Sequence, residues 1–138
     1  MSPRPRLAAL LTLRRAEHDV AAAELAAATQ RHRDSEVLEA RTRAGLEHLS
    51  PAAADLHQLR AIAAARLAAA NMLDELRAGA AASRAELEQA SAEYTGASVR
   101  LRAVEKLRER AAAAERESEL AREQAALDEI GARKAVRA

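Results

Sequence analysis

The chain has 138 residues, and its 22 basic and 21 acidic side chains leave a net charge of +1, too little for a strong overall field. Forty of the residues are alanine, Tyr94 is the one aromatic residue, and there is no cysteine. That composition excludes disulfides and thiolate chemistry and argues against a compact globular core, because alanine buries little area. An Ala/Leu/Arg/Glu-rich chain with few β-branched residues is the composition of long helices and coiled coils.

The first fifteen residues hold Arg4, Arg6, Arg14 and Arg15 with no acid. The apolar run Leu7–Leu13 between them is shorter than a usual signal-peptide core and ends in Arg14-Arg15. No run approaches the length of a membrane span, so the expectation is a soluble, cytoplasmic protein. Steps of three and four residues from Leu7 give Leu11, Arg14, His18, Ala21, Leu25, Ala28, His32, Ser35, Glu39, Thr42, Leu46 and Leu49. That is a coiled-coil seam with polar intrusions, and it predicts a first helix over about 4–49.

His18 and His32 lie in this seam. Zinc sites need several ligands converging within a turn or two, and neither cysteine nor a close His pair is present, so no metal site is assigned. Polar residues in a seam fix register at some cost in stability. Folding about the bend sets His32 near Asn71. His48 and His57 flank the bend and are expected on the surface.

Pro51 cannot continue a helix but suits the first position of a new one, and Ser50 before it is a capping residue. The bend is placed at 50–53 and the second helix at about 54–137. From Leu59 its seam runs Ile62, Arg66, Ala69, Leu73, Leu76, Ala80, Ser83, Leu87, Ala90, Tyr94, Ala97, Leu101 and Val104. A heptad sustained this far argues for a left-handed coiled coil. Gly79 and Gly96 are soft points within it. The predicted fold is all-α: one antiparallel two-helix coiled-coil hairpin, residues 1–138, with a longer C-terminal helix. Symmetric folding about residue 51 pairs the first arm with the second only to about residue 98. It leaves some forty residues as an overhang, where Leu107, Leu120, Leu127 and Ile130 take a different face from the seam. A single helix with an apolar stripe expects another chain.

No Gly-rich phosphate loop, nucleophile elbow, metal signature or Ser/His/Asp set is present, and a two-helix seam has no desolvated pocket for acid–base chemistry. Catalytic residues, cofactors and metals are therefore none. Near-neutral charge without an aromatic stacking set speaks against nucleic acid as a partner. Protein–protein interaction remains.

Two end blocks and the hairpin between them resemble the FliJ family, the soluble coiled-coil component of the flagellar type III export apparatus. Arg6-Leu7-Ala8-Ala9-Leu10-Leu11-Thr12-Leu13-Arg14-Arg15, followed by Glu17, is similar to the family's opening block. Val104-Glu105-Lys106-Leu107-Arg108-Glu109-Arg110 resembles its Leu-Glu-Lys-Leu-x-x-Arg block, and Asp128-Glu129 falls where the family places an Asp-Glu pair before a basic tail. Alanine replaces bulkier residues through the middle, and the aromatics expected near the bend are absent.

The resemblance implies a non-enzymatic stalk, similar to the shaft of the rotary ATP synthase gamma subunit. It would link the export ATPase ring and its regulator to the cytoplasmic domain of the export gate protein FlhA, and engage export chaperones. Its place would be the cytoplasm, at the inner face of the membrane through these partners. The gate-facing residues it implies are Leu49, Leu56, Leu59, Ala63 and Arg66. Those at the ATPase-ring end are Leu7, Leu11, Arg14, Glu105, Leu107, Arg110, Asp128 and Glu129. The alternatives are the equivalent stalk of a virulence-type secretion system, a self-associating coiled-coil scaffold, and a membrane-surface helix carried by Leu7–Leu13 and its arginines.

Overall fold

Two α-helices account for the secondary structure of the computed structural model, which describes residues 3–49 and 52–137. Helix α1 spans Pro3–Glu47 and helix α2 spans Leu56–Arg137. The architecture is an all-α antiparallel hairpin whose second helix is the longer, as the heptad pattern predicts. The described helices divide into two compact units, Met1–His18 with Ala97–Ala138, and Asp19–Gly96.

Local chemistry explains why each helix persists. Thr12, Thr29, Ser35 and Thr95 would compete with the backbone for hydrogen bonds, but each gives its hydroxyl proton to a carbonyl four residues back and leaves the helix intact. Glycine costs about 1 kcal/mol in a helix interior, yet α2 runs unbroken through Gly79 and Gly96. At the C-terminal end of α1, His48 Nδ1 donates to the Ala44 carbonyl at 2.7 Å, and Arg66 Nη2 reaches the Leu49 carbonyl at 3.4 Å. The Ala44 carbonyl also accepts from the His48 backbone N–H at 3.1 Å, and cationic and N–H groups suit the carbonyl-rich end of a helix.

Ser50 and Pro51, the expected cap and first residue of α2, lie outside the described residues. The cap that is seen is Asp55: its Oδ1 accepts from the Gln58 N–H at 2.8 Å, while Gln58 Oε1 accepts from the Ala54 N–H at 2.8 Å. This reciprocal pair is a capping box set slightly outward. It starts α2 at Leu56, beyond the expected position.

In the unit 19–96, the cross-arm contacts fix direction and register. Arg31 meets Glu86, His32 meets Ser83, Arg77 meets Glu39, and Arg66 meets Leu49. Numbers rise on α1 as they fall on α2, so the arms are antiparallel. His32 stands opposite Ser83 and not near Asn71, which is exposed. Symmetric folding about residue 51 is thus the wrong pivot. The connection carries the chain past the end of α1 before α2 begins, and α2 residues 56–65 extend roughly 15 Å beyond the level of Leu49. The buried residues here are Ala28, Leu73, Ala80, Ser83 and Ala90, a narrow seam of small side chains.

In the other unit the buried residues are Leu11, Ala97 and Val104. Arg4 Nη2 pairs with Glu115 Oε2 at 3.1 Å. The first arm therefore has α2 beside it well past residue 98, and the uncovered end of α2 begins near residue 119. All of 114–137 is exposed.

Candidate protein-interaction surfaces

Each seam position predicted on α1, from Leu7 to Leu49, is buried or half-buried. On α2 the seam predicted from Leu59 to Val104 holds with two departures, Leu59 and Arg66, which are exposed. Both follow from the offset register. Leu59 lies on the part of α2 that has run past α1, and Arg66 uses its seam position to reach the Leu49 carbonyl.

The residues expected beside the bend are brought together. Leu49 is half-buried and linked through its carbonyl to Arg66. Leu56, Leu59 and Ala63 are exposed on neighbouring positions of one side of α2. Leu59 is 51% exposed, which a seam leucine would not be. Leu67, 65% exposed, continues this side, so that Leu56, Leu59, Ala63 and Leu67 fall within about 80° of arc. The seam spacing does not include Leu67. A second spacing of three and four residues, Leu56-Leu59-Ala63-Leu67, is the signal for it. Exposed apolar side chains in a row are a candidate interaction surface. Arg60 and Arg66 give it a cationic border, with Asp55 below at the cap.

The residues assigned to the ring end divide by burial. Leu11 is 3% exposed and Leu7 half-buried, so they hold α1 against α2 and have little surface for a partner. Arg14 is half-buried and donates from Nη1 to Glu17 Oε2 at 2.9 Å. Glu105 is half-buried along a groove shared with His18, Leu101, Arg102 and Glu109. Leu107, Arg110, Asp128 and Glu129 are exposed. Asp128 accepts from Gln124 Nε2 at 3.1 Å and Glu129 pairs with Arg133 Nη2 at 2.9 Å, i, i+4 links that support a helix lacking a neighbour. Leu120, Leu127 and Ile130 are exposed along the same stretch.

Among the described residues there is no group of three or more His, Asp or Glu side chains able to hold a metal ion. No described helix is long and apolar enough to cross a membrane. Every buried side-chain nitrogen or oxygen among the described residues has a hydrogen-bond partner.

These features are a paired-helix framework with uncovered apolar stretches on its longer helix. The sequence model of the family described as Flagellar FliJ protein matches residues 3–138. The chain belongs to the FliJ family. It is accordingly a component of the flagellar protein-export apparatus, from a family that is structural and non-enzymatic. No curated protein and no solved structure matches the chain.

Proposed function

We propose that this FliJ-family protein is the coiled-coil stalk connecting the export ATPase ring to the cytoplasmic domain of the export gate protein FlhA, and that it also engages export chaperones. The observation that carries the reading is the family match over 3–138, which includes both end blocks and the hairpin between them. Two uncovered stretches of α2 support it, since a linking protein needs a surface for each partner.

In this reading the gate is met by Leu56, Leu59 and Ala63, with Arg66 and Leu49 at the border. The ring is met by Leu107, Arg110, Asp128 and Glu129, with Arg14 and Glu105 beside them. Leu7 and Leu11 contribute by holding α1 in place. The protein works at the inner face of the cytoplasmic membrane through these partners.

The test is ATP hydrolysis by the cognate export ATPase with and without this protein, with light scattering of ring assembly alongside. Faster hydrolysis and a larger assembly are expected. Unchanged hydrolysis with the protein dimerising alone would reduce it to a self-associating coiled coil.

A further inference from the structure

The seam of the unit 19–96 is small and repetitive, so what holds its register is a physical question. The apolar layers discriminate weakly. A shift of α2 by one heptad toward its N-terminus exchanges Leu87 for Ala80, Ala80 for Leu73 and Leu76 for Ala69, apolar for apolar though of unequal size, and brings Arg66 to the level of Leu73. It also sets Leu49, now level with Arg66, opposite Leu59 and covers that exposed leucine. The shift costs the Arg66 hydrogen bond to the Leu49 carbonyl, at 3.4 Å, and the pairs Arg31–Glu86 and Arg77–Glu39, at 3.4 and 3.5 Å. Their arginines are more than half exposed, and such pairs contribute little. Ser35 returns its proton to the Arg31 carbonyl of its own helix and is indifferent to register.

His32 is the exception. Its side chain is 16% exposed, and its Nδ1 lies 3.1 Å from Ser83 Oγ, on a serine that is 8% exposed. Ser83 Oγ also donates to the Ala80 carbonyl at 2.9 Å, so the serine ties the His32 ring nitrogen to the backbone of α2. The other ring nitrogen, Nε2, is 3.3 Å from Glu36 Oε1 of the same helix. In the shifted register Nδ1 would face Leu76, and a half-buried ring nitrogen would lose its hydrogen-bond partner. Leaving a buried donor unsatisfied is among the costlier events in a seam, and that is how single polar layers specify coiled-coil pairing.

We propose that the His32–Ser83 layer is a register lock which keeps Leu59 and its neighbours uncovered, against a register one heptad shorter in which α1 hides Leu59. The lock acts at a distance. Ser83 lies 24 residues along α2 from Leu59, about 36 Å, and decides that surface by setting which part of α2 faces α1. This extends the gate-facing reading of that surface, but its test does not depend on it.

Because the chain lacks cysteine, introduced thiols report cleanly. The first readout is the distance between spin labels on Val37→Cys and Ala92→Cys, both exposed and within the same unit. The second is the maleimide labelling rate of Leu59→Cys in a separate variant. With His32 present, one narrow distance and fast labelling are expected. His32→Leu removes the polar demand without a cavity, and a second distance longer by about 8–10 Å should appear, with labelling slowed several-fold. Ser83→Ala should act in the same direction and serves as the independent variant. A single unchanged distance and an unchanged labelling rate in both variants would overturn the lock. Binding of the gate domain is measured separately on the unsubstituted protein. Failure there sinks the gate-facing reading and leaves the lock standing.

Discussion

The two uncovered stretches of α2 make an instructive contrast. Residues 56–65 carry one arginine, no acid, and an exposed row of leucine and alanine. Residues 119–137 alternate acids and bases around Leu120, Leu127 and Ile130, and stitch themselves with i, i+4 contacts. The first stretch is uncovered because the register carries α2 past the end of α1. The second is uncovered because α1 has run out, with Arg4 already beside Glu115. A helix that lacks a neighbour needs its own side-chain links to stay helical. A short stretch that starts from a capping box needs fewer, and can stay apolar. The contrast therefore separates a hydrophobic exposed stretch from a charged one.

The sharpest way to break this contrast is to remove one side of it. Truncation after Ser118 deletes the charged stretch and spares the Arg4–Glu115 pair. It should abolish stimulation of the export ATPase while the melting temperature of the remainder changes little; surviving stimulation would end the ring assignment. The next largest effect falls between the stretches. Leu73, buried in the seam, becomes alanine at a cost of roughly 2–3 kcal/mol, which lowers Tm by about 5–10 °C. Its effect should be on thermal melting and not on affinity for either partner. Leu59→Asp with Arg66→Glu should do the reverse, weakening the FlhA cytoplasmic domain about tenfold, or 1.4 kcal/mol, and shifting Tm by less than about 2 °C. Equal affinity in a titration of that double variant would remove the gate-facing surface. The smallest effect has the opposite sign. Nothing lies within 4 Å of a methyl built on Gly79, so Gly79→Ala should stabilise the hairpin by about 0.5–1 kcal/mol, read as a higher melting temperature with unchanged partner binding.

Much of the fold is legible in the chain because a heptad is a local code. The seam of α1 can be counted off from Leu7 without knowing what it faces, and each counted residue is at least half-buried. Register is not local. It depends on how far the connection travels before Asp55 caps α2, and no spacing within either arm encodes that distance. Hence symmetric folding sets His32 against Asn71 when its partner is Ser83, and the heptad count puts Leu59 in a seam that does not reach it. The candidate surfaces divide the same way. Leu56, Leu59, Ala63 and Arg66 do share one region by the bend, whereas Leu11 is buried in the seam and Leu67 lies off the seam spacing.

The last turns of α2 have a kinetic consequence. A free peptide of that length would have to nucleate its first helical turn, an unfavourable step with a constant on the order of 0.001. Here the nucleus is already supplied by the paired part of the same helix, and each further residue is only propagation. The helix then opens from Arg137 inward, one residue at a time, and amide hydrogen exchange should slow progressively toward Glu115. A partner that clasps Leu120, Leu127 and Ile130 has only to stop that fraying. The ordering entropy it must overcome is that of a few terminal turns, which allows binding that is both specific and readily released.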